Sequence, residues 1–271
     1  MDLKWLQGKT GYIESRYALI PVYRLSGQEI VLFDSGVETD PALLELLERE
    51  GLRVRAVLST HLHWDHIANN EALVARHGAE ILAHPSEIPF FRNLCGEPYS
   101  VTGIEGDTVE IDGISFKILY TPGHSCGHLA YATPDGVCCL GDVIMSQDEL
   151  DRSKIPFMND VDRAIVSMED IRQTRYPFYI VAHKGVVPQA KLANIVERNI
   201  QKELDLYDLL RQQIKAPTAI EQVISDFIRA AGVRSEKMVE VDFVRHTARV
   251  RILALANVGE FSIEGDLVIP R

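Results

Sequence analysis

Apolar residues in the first two thirds of the chain fall into short blocks bounded by glycine, proline and aspartate, and these blocks alternate with stretches of helical spacing. Residues 17–23 and 29–33 read as strands joined at Ser26-Gly27, and Asp34-Ser35-Gly36 ends the second. Asp40-Pro41 opens an amphipathic helix with Leu43, Leu44, Leu46 and Leu47 on its buried side and Gly51 as its stop. Residues 54–58 read as a strand, 70–77 as a helix ended by Gly78, and 80–83 as a strand. Two hairpins are expected, over 108–120 around Asp112-Gly113 and over 129–140 around Pro134-Asp135-Gly136, then a helix over 161–172 and a strand over 178–182. The alternation predicts an α/β layered fold.

The period changes after Pro188. Residues 189–214 form one long amphipathic pattern, 217–231 a second that starts at proline and ends at Gly232, and 247–256 a third, followed by a turn-rich stretch over 260–269. The expected organisation is a catalytic domain over 1–188 and a smaller, mainly helical subdomain over 189–271. Charge follows the same division. The chain of 271 residues carries 28 basic and 39 acidic side chains, a net −11. Residues 190–271 hold 12 of each, so the whole acidic excess lies upstream. That balance opposes attraction of the whole body to nucleic acid or an anionic membrane. No apolar run has the length of a membrane span, and the first residues lack a secretory pattern, so a cytoplasmic protein with no membrane partner is expected. Cys95, Cys126, Cys138 and Cys139 have no paired C-x-x-C spacing and read as reduced thiols.

The densest chemistry is Ser59-Thr60-His61-Leu62-His63-Trp64-Asp65-His66, directly after an apolar strand. In extended backbone, residues two apart point to one side, so His61 and His63 can grip one cation. Asp65 and His66, where the chain turns into a helix, can project towards a second. His124, Asp142 and His183 each follow an apolar block and sit at or near glycine. Five imidazoles and two carboxylates suit a pair of borderline cations such as zinc, with open positions for water.

The ordered set H-x-H-x-D-H, then Thr121-Pro-Gly-His124, then Gly141-Asp142 and a final His183 resembles the metallo-β-lactamase superfamily of binuclear metallohydrolases. The resemblance covers residues 10–185, including Leu32-Phe-Asp-Ser-Gly36 and Ala83-His84. It implies an αββα sandwich with the site at one rim. His61, His63 and His124 would hold the first metal, Asp65, His66 and His183 the second, and Asp142 would bridge them. Asp34 would support the metal loop without ligating. His77, His84, His128 and His246 fall at positions that do not ligate in the family or read as helix surface. Cys126 is expected to pack, with a low-pKa thiol as the alternative, and Lys184 either to meet an anionic substrate or to face water.

A water shared by two divalent cations loses its proton near neutral pH, which makes hydrolysis the expected reaction, with Asp65 orienting the nucleophile and relaying a proton. Zinc is the expected metal, with manganese or iron as alternatives. The C-terminal part is similar to a winged-helix-like appendage, found in glyoxalase II-like relatives and in a ribonuclease-like subgroup. The favoured substrate is a small-molecule thioester or related ester. The alternatives are an endoribonuclease or phosphodiesterase acting on single-stranded RNA, aided by Arg245, Arg249 and Arg251, and an iron-dependent oxygen-using enzyme. Residues 86–106 and 145–160, with Phe90, Phe91, Tyr99, Phe157 and Met158, are expected to flank the pocket, and a homodimer is the default assembly.

Overall fold

A computed structural model describes residues 1–37, 39–234 and 238–271, with side chains described throughout except at 238–240. The chain opens with four antiparallel strands, β1 (Asp2–Gln7), β2 (Thr10–Glu14), β3 (Leu19–Arg24) and β4 (Glu29–Phe33). Helix α1 (Pro41–Arg49), strand β5 (Arg53–Leu58), helices α2 (Trp64–Ile67) and α3 (Asn70–His77) and strand β6 (Glu80–Ala83) follow. After a 3₁₀ turn, Pro85–Glu87, come α4 (Ile88–Cys95) and β7 (Val101–Gly103). These strands make a seven-stranded sheet ordered β1 to β7, parallel from β4 onward.

The second sheet contains β8 (Thr108–Ile111), β9 (Ile114–Tyr120), β10 (Leu129–Ala132) and β11 (Val137–Gly141). Helices α5 (Gln147–Arg152) and α6 (Val161–Gln173) then lead to β12 (Phe178–Val181) and β13 (Gly185–Pro188). The sheet order is β13-β12-β11-β10-β9-β8. The C-terminal region holds α7 (Gln189–Gln213), β14 (Thr218–Ala219), α8 (Ile220–Ala230), α9 (Met238–Asn257), β15 (Phe261–Glu264) and β16 (Leu267–Pro270). Its strands form a small sheet ordered β14-β16-β15.

Alternation along the strands builds the layers. In β4, Ile30 and Leu32 face Leu43, Leu47 and Leu73 of the outer helices, whereas Val31 and Phe33 face the second sheet's Phe116, Ile118 and Tyr131. Phe116 receives Tyr23 and Phe33 edge-on, at 5.1 and 5.7 Å between centroids. On the far side of the second sheet, Leu140 and Val181 pack with Ala164 and Met168 of α6 and Leu192 and Val196 of α7. Helix, sheet, sheet and helix are therefore stacked in that order, the expected αββα sandwich. α1 forms where the sequence indicated: Asp40 caps it by accepting from the Ala42 N–H at 2.9 Å, Pro41 begins it, and Leu43, Leu46 and Leu47 are buried.

The core under the second sheet continues without a break into Phe227, Ile252, Phe261 and Val268. The change of pattern after Pro188 is thus a change of architecture within one shared core. The small basic face read from Arg245, Arg249 and Arg251 does not form: Arg251 is buried on Glu203, and Arg245 and Arg249 both pair with Glu221. All four cysteines are free thiols. Among the described residues, no helix is long and apolar enough to cross a membrane.

Candidate metal centre

Each chemistry-bearing loop leaves the C-terminal end of a strand at one rim: Asp34 after β4, His61 to His66 after β5, His124 after β9, Asp142 after β11 and His183 after β12. The ligating atoms gather into three overlapping groups, His61 with His63 and His124, His61 with His66 and Asp142, and Asp65 with His66 and His183, each within 4.8 Å of one another. Asp142 Oδ2 lies 3.3 Å from His66 Nε2, 3.3 Å from His183 Nε2 and 3.7 Å from His124 Nε2. One carboxylate oxygen therefore stands between the histidine-only group and the group containing Asp65. All seven residues singled out in the sequence converge on this spot.

Partners behind the rings fix which nitrogen looks inward. Asp34, held at φ +63°, accepts from the Thr60 N–H at 2.7 Å, the Thr60 hydroxyl at 2.8 Å and His66 Nδ1 at 2.8 Å. Because the Thr60 proton goes to Asp34, His61 Nδ1 donates to Thr60 Oγ1 at 3.0 Å. His124 Nδ1 donates to the Phe157 carbonyl at 3.1 Å. The Nε2 atoms of His61, His66 and His124 are thereby aimed at the centre. Asp34 supports the loop as expected.

The centre fits a divalent cation. Among the described residues, His61 Nε2 and Asp142 Oδ1 are buried without a hydrogen-bond partner, and each such atom costs about 1–3 kcal/mol unless something takes its lone pair. Burial, with help from His66 and His63, holds the His61 pKa well below the ordinary imidazole value. Burial does the same at His124 against the opposing pull of Asp142. Both rings are neutral at pH 7, the form that ligates. At His66, burial is outweighed by Asp142 and Asp34, so its pKa rises, and Asp142 raises that of His183. Asp142 itself is held well below the carboxylate range, because His183 and His66 outweigh its burial.

Two glycines are required by these loops. A Cβ on Gly141, at φ +53°, would lie 2.6 Å from Thr60 Oγ1 and 2.8 Å from His128 Nε2. One on Gly123, at φ +137°, would lie 2.3 Å from the Ala164 backbone nitrogen. His128 is not a ligand, but it is no surface histidine either: fully buried, it accepts from the Asp142 N–H at 3.0 Å and donates from Nδ1 to Thr121 Oγ1 at 2.8 Å. Burial pushes its pKa down to about 3, consistent with a neutral acceptor.

Glu87 went unnoticed in the sequence. It is buried at the end of the 3₁₀ turn, and its carboxylate accepts from the Gly127 N–H at 2.7 Å and the Leu62 N–H at 3.3 Å. It ties the loop bearing His61 and His63 to the loop bearing His124. The available signal was its place just past the end of β6, at the same rim. Cys126 does not pack in the core: it is exposed, with Sγ 3.6 Å from Ser86 Oγ and 3.7 Å from Glu87 Oε1. Of the residues expected to flank the pocket, Phe157 does so, with its ring 5.3 Å from that of His63. Phe91, Tyr99 and Met158 are buried in the core, and Phe90 is exposed on α4. Lys184 is exposed in a left-handed conformation, φ +63°. His84 stacks on Tyr120 at 5.0 Å, and His246 stacks on Phe157 at 5.7 Å.

Residues 20–183 match the family model of the metallo-beta-lactamase superfamily. A hydroxyacylglutathione hydrolase from Chromohalobacter salexigens is 32% identical over 124 residues, 45% of this chain and 45% of that protein. Another, from Shewanella pealeana, is 26% identical over 197 residues, 69% of this chain and 72% of that protein. The chain spans under half the length of several such relatives. Among solved structures, a metallo-beta-lactamase family protein from Thermus thermophilus superposes with a TM-score of 0.74 at 16% identity, over 96% of this chain and 97% of that one. A beta-lactamase domain protein from Burkholderia ambifaria gives 0.75 at 17% identity, over 100% and 93%. These two show the shared fold, with the C-terminal region included in the superposition. Since the family match runs through more than half of the chain and takes in every loop of the centre, this protein belongs to the metallo-beta-lactamase superfamily.

Proposed function

We propose that the protein is a binuclear metal-dependent hydrolase acting on a small-molecule thioester or related ester. The observation that carries this reading is the place of Asp142 Oδ2, within 3.3–3.7 Å of imidazoles from both groups. His61, His63 and His124 would hold one cation, Asp65, His66 and His183 the other, and Asp142 both. Imidazole and carboxylate donors suit zinc best, and manganese or iron fit the same set. Bound there, the pair would lower the pKa of a water between them and polarise the scissile carbonyl.

The remaining work falls to the chain's own side chains. Asp34, Thr60 and the Phe157 carbonyl keep three imidazoles in a single orientation, so no reorganisation is needed as charge develops. Asp65 is partly exposed and its Oδ2 lies 3.8 Å from His183 Nε2. That position lets it take a proton from the attacking water and return it to the leaving group at the open side. The hydroxyacylglutathione hydrolases among the relatives act on a thioester by name, which supports this substrate class. The pairing of every arginine on α9 with an acid weighs against an RNA groove there.

The test compares the zinc- or manganese-loaded protein with its Asp142→Ala variant on acyl thioesters and on single-stranded RNA. Thioester turnover that vanishes in the variant is expected. RNA cleavage with that same dependence, and no thioester turnover, would replace this reading with a nuclease.

A further inference from the structure

The segment between His124 and α6 is held from two sides. On the site side, the Phe157 carbonyl receives His124 Nδ1–H, and the Asn159 N–H donates to the Gly123 carbonyl at 2.9 Å. On the α9 side, the Met158 N–H donates to the buried Thr247 hydroxyl at 3.3 Å, and His246 Nε2 lies 2.8 Å from Asn159 Oδ1. The rings continue this bridge. Phe157 meets His63 and His124 at 5.3 and 5.5 Å, Phe243 meets Phe157 edge-on at 5.3 Å, and His246 lies nearly parallel to Phe157, at 21°. An unbroken ring surface thus runs from two candidate ligands to Phe243, which is 41% exposed.

This wall offers no free positive charge from its own helix. Arg245 and Arg249 are both paired with Glu221, and Arg251 is buried on Glu203. Burial and the nearby Arg249 lower the His246 pKa, which keeps that ring neutral at pH 7. A polyanionic group finds no unpaired arginine on α9, whereas a flat apolar group gains ring contacts and removes exposed aromatic surface from water.

We propose that Phe157, Phe243 and His246 form a subsite for an aryl group of the substrate, so that α9 selects aryl-bearing esters over small ones. The proposal rests on the hydrolase reading above for the ester, and on the ring geometry for the aryl group. Ethyl thioesters of phenylacetic and acetic acid, with the benzyl thioester of acetic acid, are compared on the metal-loaded full chain, Phe243→Ala and Phe243→Tyr. Calorimetry of phenylacetate and acetate binding supplies a readout without turnover. The preference for a ring-bearing ester is expected to fall about tenfold in Phe243→Ala, mainly through KM, and to survive in Phe243→Tyr. Phenylacetate should bind more weakly to Phe243→Ala, with metal content as in the parent. A fall on the phenylacetyl ester places the ring on the acyl side, and a fall on the benzyl ester places it on the leaving side. An unchanged preference and unchanged phenylacetate affinity overturn the subsite while thioester turnover upholds the hydrolase reading. No turnover of any thioester, with phenylacetate binding still weakened by Phe243→Ala, overturns the thioester and leaves the subsite standing.

Discussion

The rim loops and helix α9 reach the same centre by opposite routes. The loop after β5 places His61, His63, Asp65 and His66 within six positions, and the strand beneath it aims them. α9 contributes through contacts made 87 to 89 positions away in sequence, His246 with Asn159 and Thr247 with Met158. The first arrangement is local and survives as a motif. The second depends on the helix being docked at one depth and rotation, which is set by buried pairs such as Arg251 with Glu203 and by the core around Ile252 and Phe227. The candidate metal ligands thus stand at strand ends, whereas the α9 contacts come from long-range packing.

The largest expected effect lies on the rim side. Asp142→Ala removes the oxygen shared by both groups, and hydrolysis should fall more than about 10³-fold, beyond the range for losing one electrostatic donor. Turnover by the metal-loaded variant within tenfold of the parent would remove Asp142 from its central place. On the α9 side, Glu203→Ala leaves Arg251 buried and unpaired and should cost about 3–5 kcal/mol in denaturant unfolding. Burial pushes the Glu203 carboxyl up despite the pull of Arg251, so the pair is expensive to keep. Replacing both residues with methionine should therefore restore most of the loss, whereas an additive loss would show that the pair stabilises outright. The smallest effect belongs to the strap between the loops: Glu87→Ala should weaken metal binding about 10–100-fold in a chelator competition. Glu87→Gln, which keeps one acceptor oxygen for the two N–H donors, should restore only part of that loss, whereas full recovery would show that the tie between the loops does not matter.

The same contrast explains what could be read before the fold was known. Each ligand candidate followed an apolar block, and His124 and Asp142 stood directly after Gly123 and Gly141, where a Cβ would clash with a neighbouring element. The α/β layering was legible from the alternation of strand and helix patterns, α1 among them, whereas the αββα sandwich came from the family resemblance. The edge strand β1 and its neighbour β2 were missed: Trp5 is exposed, and Gly8 and Gly11 interrupt the pattern. The first half of α9 was missed for a different reason. Met238-Val-Glu-Val-Asp-Phe-Val244 alternates with period two, as a strand does, yet the whole stretch lies within α9. The roles of Glu87, His128 and Phe243 leave no periodic trace, because they arise where separate loops and helices meet.

The proposal that seven side chains hold two cations around Asp142 is tested by metal stoichiometry. Native mass spectrometry of the zinc-loaded chain, with a chelator-stripped and reloaded sample measured alongside for thioester turnover, should show two cations per chain and activity that returns only as both are restored. Full turnover from a chain that holds no cation, or saturation at one cation with the second group of residues empty, would contradict it.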